Sequence, residues 1–434
     1  MSTAAEKTAA QKTAAQKTAL ELGEYTAASP SSYHAAAEAA RRLQAAGFEL
    51  LDEAQAWNLA PGGRYVLVRD GAVTAFALPA DVSAGDLRYR VFGAHTDSPG
   101  FKLKPGSAHT AAGFTQVGVE VYGGVLLNSW LDRELCFAGR LALRDGTTVL
   151  ARTPGIARIP QLAIHLDRQV NDGLRLDRQQ HTVPVIGLEV CGGDVIELLA
   201  ESAGVSADRL VGHDVITAPV QEASLFGASQ ELLACSRMDN LSSTFAGLRA
   251  MEELDANNLT AVSVFISNDH EEVGSETRTG ASGPMLADIL ERISISVGAD
   301  REEHLRAVAG SICVSADAGH AVHPNYPERH DPQVRPTLGD GLLLKLNAVQ
   351  RYATDAAGTA EWARLCNAAG AQFQPFVSNN AQPCGSTIGP LTATRLGMTV
   401  IDAGIPLLSM HSAREMAAVS DIEALVRLAH AHLG

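Results

Sequence analysis

The chain has 434 residues, 46% of them hydrophobic, 39 glycines and a net charge of −15. That length suits two to three domains with a sizeable core, and the acidic balance argues against a nucleic-acid partner, because phosphate binding needs a basic face. No apolar run reaches the roughly 18 residues of a membrane span, the N-terminus lacks a charged-then-apolar signal layout, and the six scattered cysteines contain no C-x-x-C pair, which excludes a zinc finger and suits the reduced thiols of a cytoplasmic protein.

Residues 1–22 repeat Thr-Ala-Ala-Gln-Lys at 8–12 and 13–17, an Ala-rich, low-complexity segment expected to be a disordered tail. His34 to Ala46 has helical spacing, with Ala36, Ala40, Leu43 and Ala46 on one side. Tyr65 to Val68 and Val73 to Leu78 flank Asp70-Gly71, a hairpin signal. Tyr89 to Phe92 reads as a strand running into His95-Thr96-Asp97-Ser98-Pro99.

From Gly100 the character changes to short alternating runs (Val117 to Tyr122, Leu141 to Leu143, Thr148 to Ala151, Pro184 to Val190) broken by glycines. We expect an inserted β-rich domain over 100–229, splitting a catalytic domain made of 23–99 and 230–434. Past Glu231 an α/β rhythm returns: a helix over Leu241 to Leu254, a strand over Ala261 to Ile266, and a helix over Met285 to Ile293. Strands follow over Ala309 to Val314, within Gly339 to Val349, and over Met398 to Ile401, before a closing helix over Ile422 to His432. Alternation of this kind implies an α/β fold with a largely parallel or mixed sheet covered on both faces.

Chemistry-bearing residues recur just past the strands or at helix starts: His95 with Asp97, Asp239 with Asn240, Glu271 with Glu272, Asp317, and His411. The carboxyl ends of strands are where open α/β sheets place their chemistry. Two imidazoles with three or four carboxylates suit a pair of zinc or similar divalent ions, which one bridging carboxylate would hold roughly 3.5–4 Å apart. Asp97, two residues beyond His95, is placed to orient that imidazole. No G-x-S-x-G elbow supports a serine hydrolase, and Ser386 reads as a turn residue near the pocket.

The sequence resembles the aspartyl aminopeptidases, co-catalytic zinc exopeptidases, from about Ser29 to the C-terminus. Six ordered blocks carry the likeness: His95-Thr96-Asp97-Ser98-Pro99, Arg237-Met238-Asp239-Asn240-Leu241, Glu271-Glu272-Val273-Gly274-Ser275, His320-Ala321-Val322-His323-Pro324-Asn325-Tyr326, Cys384-Gly385-Ser386-Thr387-Ile388-Gly389-Pro390 and Met410-His411-Ser412. The resemblance implies a three-layer zinc-exopeptidase-like catalytic domain and a dimerisation role for the insert. It also implies that His95, Asp239 and Asp317 hold one metal, that Asp239 bridges to a second completed by Glu272 and His411, and that Glu271 is the general base acting on the bridging water. Zinc is the expected ion, although manganese and cobalt accept the same groups.

The family prefers peptides with an acidic N-terminal residue, and Lys345 falls at its pocket lysine. An ammonium inside an apolar run is costly to bury unless an anion arrives. His320 and His323 are expected as pocket or transition-state groups, and His165, in the insert, matches a histidine that reaches a neighbouring subunit's site. His34 and His330 match family histidines without an assigned role. The Asp269-His270 lead departs from the family's asparagine-rich pattern and adds an imidazole near the site. Assembly into dimers and a tetrahedral dodecamer is implied as well. Three other readings stay open: a dinuclear aminopeptidase of broad specificity, a deacylase or carboxypeptidase on the same metals, and a non-catalytic assembly protein that kept the fold.

Overall fold

The computed structural model describes residues 4–191 and 193–434. Its centre is a nine-stranded sheet in the order Glu49–Leu50, Arg64–Arg69, Ala72–Ala77, Val262–Asn268, Tyr89–His95, Ile312–Ala316, Thr399–Gly404, Leu342–Lys345, Phe373–Phe376. The middle four of these, from Val262–Asn268 to Thr399–Gly404, run parallel. Their near-continuous burial is what a strand covered on both faces requires. One face packs against the helices Ser32–Ala45, Met238–Glu252, Ala356–Ala369 and Val419–Leu433. The other is covered by Met285–Ser296 and Arg301–Ala309, giving three layers with a core on each side of the sheet.

Two expectations need correction. The segment expected as a disordered tail is helical from Ala4 to Ala28, residues 1–3 lying outside the described residues. Ala15, Ala19, Leu22 and Tyr25 recur on one face and are all buried in the core formed with the closing helix. Alanines make a thin stripe that composition alone reads as low complexity, yet they let helices approach closely. The insert is also shorter than 100–229. Its sheet strands run from Gly100–Ala111 to Leu210–Pro219, whereas Ser224–Phe226 pairs with Leu232–Cys235 and so joins Glu415–Ala418 in a small sheet outside the insert.

Within the insert, seven strands order so that Leu210–Pro219 pairs with both Gly100–Ala111 and Glu134–Leu143, and the sheet closes on itself around its own core. Closure removes sheet edges. Cys136, Cys235, Cys313 and Cys366 are buried free thiols and Cys384 is half-buried. Among the described residues no helix is long and apolar enough to cross a membrane.

Candidate metal centre

The parallel strands end on one side of the sheet, and their ends deliver the charged residues. His95 closes Tyr89–His95, Glu271 and Glu272 follow Val262–Asn268 in a short turn, and Asp317 follows Ile312–Ala316. Asp239 sits at the kinked start of Met238–Glu252, and His411 comes from the loop before Glu415–Ala418. Gly404 lies against the carbonyl of Asp317 and leaves no room for a Cβ there.

Two groups of three ligand atoms form and share Asp239. In one, His95 Nε2 lies 3.6 Å from Asp239 Oδ1 and 3.6 Å from Asp317 Oδ1. In the other, His411 Nε2 lies 3.3 Å from Asp239 Oδ2 and 3.4 Å from Glu272 Oε2. Ligands of a tetrahedral zinc ion at its usual N and O bond lengths stand roughly 3.4 Å apart, so both groups fit such an ion. Asp239 turns one oxygen to each group. Asp239 Oδ1 and Glu272 Oε1 are buried with no hydrogen-bond partner, which is expensive unless a cation takes them. A third group, His95 with Glu271 and Glu272, reuses the same residues. Glu271 Oε2 stands 3.9 Å from His95 Nε2.

Around these atoms runs a layer of orienting contacts. Asp97 Oδ1 is 3.4 Å from His95 Nδ1, and its two oxygens accept the backbone N–H groups of Glu271 and Glu272 at 3.0 and 3.1 Å. One aspartate therefore positions the His95 imidazole and both members of the Glu-Glu pair. Glu415, which sequence reasoning missed, is buried and accepts from the backbone N–H of Asp239 (3.1 Å) and of His411 (3.0 Å). Its sequence signal is slight: an acid four residues beyond His411.

The centre lines a cleft of about 490 Å³ that also takes in His320, Lys345, Tyr352, Ser386 and Met410. Family comparison decides what such a centre belongs to: the model described as "Aminopeptidase I zinc metalloprotease (M18)" matches residues 25–432. The chain belongs to the M18 family of zinc aminopeptidases. It is similar to the "Probable M18 family aminopeptidase 2" of Streptomyces avermitilis, 50% identical over 408 residues that cover 92% of this chain and 94% of that protein. Among solved structures, the complex of Ape4 and Nbr1 aligns with a TM-score of 0.92 at 34% identity, over 97% of this chain and 86% of that one. The mApe1 dodecamer of S. cerevisiae aligns at 0.83 and 28%, over 96% of each chain.

The electrostatics of this M18 aminopeptidase favour positive charge at the centre. Burial lowers the pKa of His95, but the carboxylates of Asp239, Asp317 and Asp97 outweigh it and hold the imidazole well above its ordinary range. His411 is likewise opposed by burial and raised to about 10 by Asp239 and Glu272. Burial pushes Glu271 up to about 8, His95 opposing and Asp317 and Asp97 reinforcing. It lifts Glu272 well above its usual value together with Asp239, and Glu415 to about 8. Carboxylates crowded this closely out of water favour a cation among them.

Of the expected site residues, His95, Asp97, Asp239, Glu271, Glu272, Asp317, His411, Lys345 and His320 meet at this cleft or its backing. His323 does not line it: its Nδ1 accepts from Asn325 N–H and its ring stacks edge-on to Tyr326. His165 lies exposed on the insert, away from the cleft of its own chain. His34 bonds Ser31, His270 bonds Thr277, and His330 accepts from the backbone of His323.

Proposed function

We propose that this M18 zinc aminopeptidase works with two ions and removes an unblocked acidic residue, aspartate or glutamate, from the N-terminus of peptides. The observation that carries the reading is the pair of three-ligand groups sharing Asp239 beside a single cation. His95, Asp239 and Asp317 would hold one zinc, and Asp239, Glu272 and His411 the other. When bound, the ions supply Lewis acidity, polarising the scissile carbonyl and lowering the pKa of an attacking water.

The remaining work falls to the chain's own side chains. Glu271 belongs to neither group that contains Asp239, and with 15% of its side chain exposed against 5% for Glu272 it faces the cleft more openly. Its carboxylate takes a proton from the water as that water attacks the scissile carbonyl carbon, and returns the proton to the amine nitrogen as the C–N bond breaks. Asp97 keeps the His95 ring and the Glu271 amide in register.

Lys345 is the one lysine or arginine among the cleft's described lining. Its ammonium donates to Asp317 Oδ2 at 3.1 Å and to the carbonyl of Ala318 at 2.7 Å, under the ring of Tyr352. Two of its three donors are thus used, and the third is free to pair with the side-chain carboxylate of a substrate. His320 borders the same cleft and suits contact with the substrate backbone. Zinc content measured on the purified chain, with aspartyl, glutamyl and leucyl anilides assayed before and after chelation, tests the whole reading. Two ions per chain and an acidic preference that Lys345→Ala erodes at least about tenfold, or roughly 1.4 kcal/mol, are expected. An unchanged ratio of aspartyl to leucyl hydrolysis in Lys345→Ala would remove the specificity claim and leave a broad aminopeptidase.

A further inference from the structure

The His411 loop is braced from the inserted domain. His411 has a left-handed backbone, φ 64°, and its imidazole Nδ1 lies 3.0 Å from the carbonyl oxygen of Gly124. Donation from Nδ1–H to that carbonyl leaves the Nε2 lone pair facing Asp239 and Glu272, the tautomer a ligand needs. Leu126 donates its N–H to the carbonyl of His411 at 3.1 Å, and Ser129 Oγ accepts from the N–H of Ala413 at 2.9 Å. Ala413 is itself buried in the core of the insert.

Glycine is demanded at this contact. A Cβ on Gly124 would stand 2.9 Å from His411 Nδ1, and one on Gly123, whose φ is +70°, would stand 3.1 Å from Glu272 Cβ. One residue earlier, the Tyr122 hydroxyl donates to Asp97 Oδ2 at 2.8 Å, and Asp97 is the carboxylate behind His95. A single strand exit, residues 122–129, thus reaches the far side of both imidazoles.

We propose that this segment of the inserted domain is the outer support of the metal centre: Gly124 positions His411, and Tyr122 positions His95 through Asp97. The inference rests on the reading that Asp239, Glu272 and His411 hold an ion, and it adds that the insert tunes how tightly they do so. Gly124 acts through its carbonyl and its missing side chain, so the decisive change adds a methyl group.

The test titrates zinc into the full-length, metal-stripped chain against a chromophoric chelator, for the wild type, Gly124→Ala, Tyr122→Phe and His411→Ala. Gly85→Ala, where an added Cβ meets nothing within 4 Å, serves as the control. Gly124→Ala is expected to weaken one zinc association by about tenfold or more, while the metal-free chain melts as the wild type does. A general packing defect would lower that melting temperature instead, and this outcome overturns the proposal. Wild-type zinc affinity in Gly124→Ala, beside a lost ion in His411→Ala, also overturns it. Both ions retained in His411→Ala overturn the ligand reading beneath it. If Gly124→Ala does not fold, Tyr122→Phe decides: weaker zinc binding supports the proposal and unchanged binding sinks it.

Discussion

The two adjacent glutamates show how far a neighbour can diverge in role. Glu272 Oε2 meets His411 and closes a ligand group around Asp239, while Glu271 stands 3.9 Å from His95 with more of its carboxylate open to the cleft. Glu271→Gln keeps the shape and removes the proposed base, so turnover should fall by roughly 10²–10⁴-fold, the usual range for general acid–base catalysis, with zinc content intact. Zinc lost in step with activity would make Glu271 a ligand. Asp239→Asn, by contrast, should release both ions, read by metal analysis after dialysis. Glu271, Glu272 and Asp239 drew notice as titratable side chains placed just past a strand or at a helix start, and the roles expected of them came from the resemblance carried by the blocks around them. Glu415 and Gly124 were not, since they act on backbone amides and through a backbone carbonyl, and neither contact leaves a spacing pattern.

At the scale of elements, the sequence reading succeeded where apolar periodicity was strong and slipped where alanine or a cap decided the outcome. The strand before Glu271 was visible as a β-branched run over Ala261 to Ile266, and the one ending in His95 as the short apolar stretch Tyr89 to Phe92. The first helix was hidden because Ala15 and Ala19 look like low complexity until Leu22 and Tyr25 extend their stripe into the core. Ala309, read as the start of a strand, ends the helix Arg301–Ala309, whose Asp300–Glu303 capping box fixes its start, and the strand begins at Ile312. The closing helix Val419–Leu433 carries a pH-sensitive contact: His432, fully buried, lies with Nε2 2.9 Å from the carbonyl of Val91. Burial lowers its pKa to about 4, against roughly 6.5 in an unfolded chain. A depressed folded pKa means that the unfolded chain binds the extra proton first. The stabilisation is therefore complete above about pH 6.5 and is lost as pH falls towards 4, on the order of 3 kcal/mol. Denaturant unfolding of His432→Gln at pH 7 and at pH 4.5 should show a smaller drop than the wild type. Parallel pH profiles would mean that His432 does not carry this linkage.

The molecule as a whole joins a three-layer catalytic body to a closed β insert, and the insert presents apolar residues that its own chain does not cover. Leu162, Ile164 and Leu166 are 63%, 52% and 74% exposed and alternate around His165. Such a strip is costly to leave in water and suits a contact surface. Together with a relative solved as a dodecamer, it supports the proposal that copies of this chain pair through their inserts, bringing His165 to the neighbour's cleft, where an imidazole can stabilise the developing oxyanion. Dimers stacked into a tetrahedral dodecamer would then enclose the clefts and admit peptides while excluding folded proteins. Two variants separate assembly from chemistry. Ile164→Asp buries a charge in the proposed contact and should yield smaller species by light scattering, with turnover reduced while zinc content holds. His165→Ala should leave the assembly intact and lower kcat by roughly 10²-fold, the scale for one lost oxyanion donor. A wild-type chain that remains monomeric at micromolar concentration would remove both the cage and the reach of His165. A fully active monomer of Ile164→Asp would remove the reach alone, because each cleft would then be complete within its own chain.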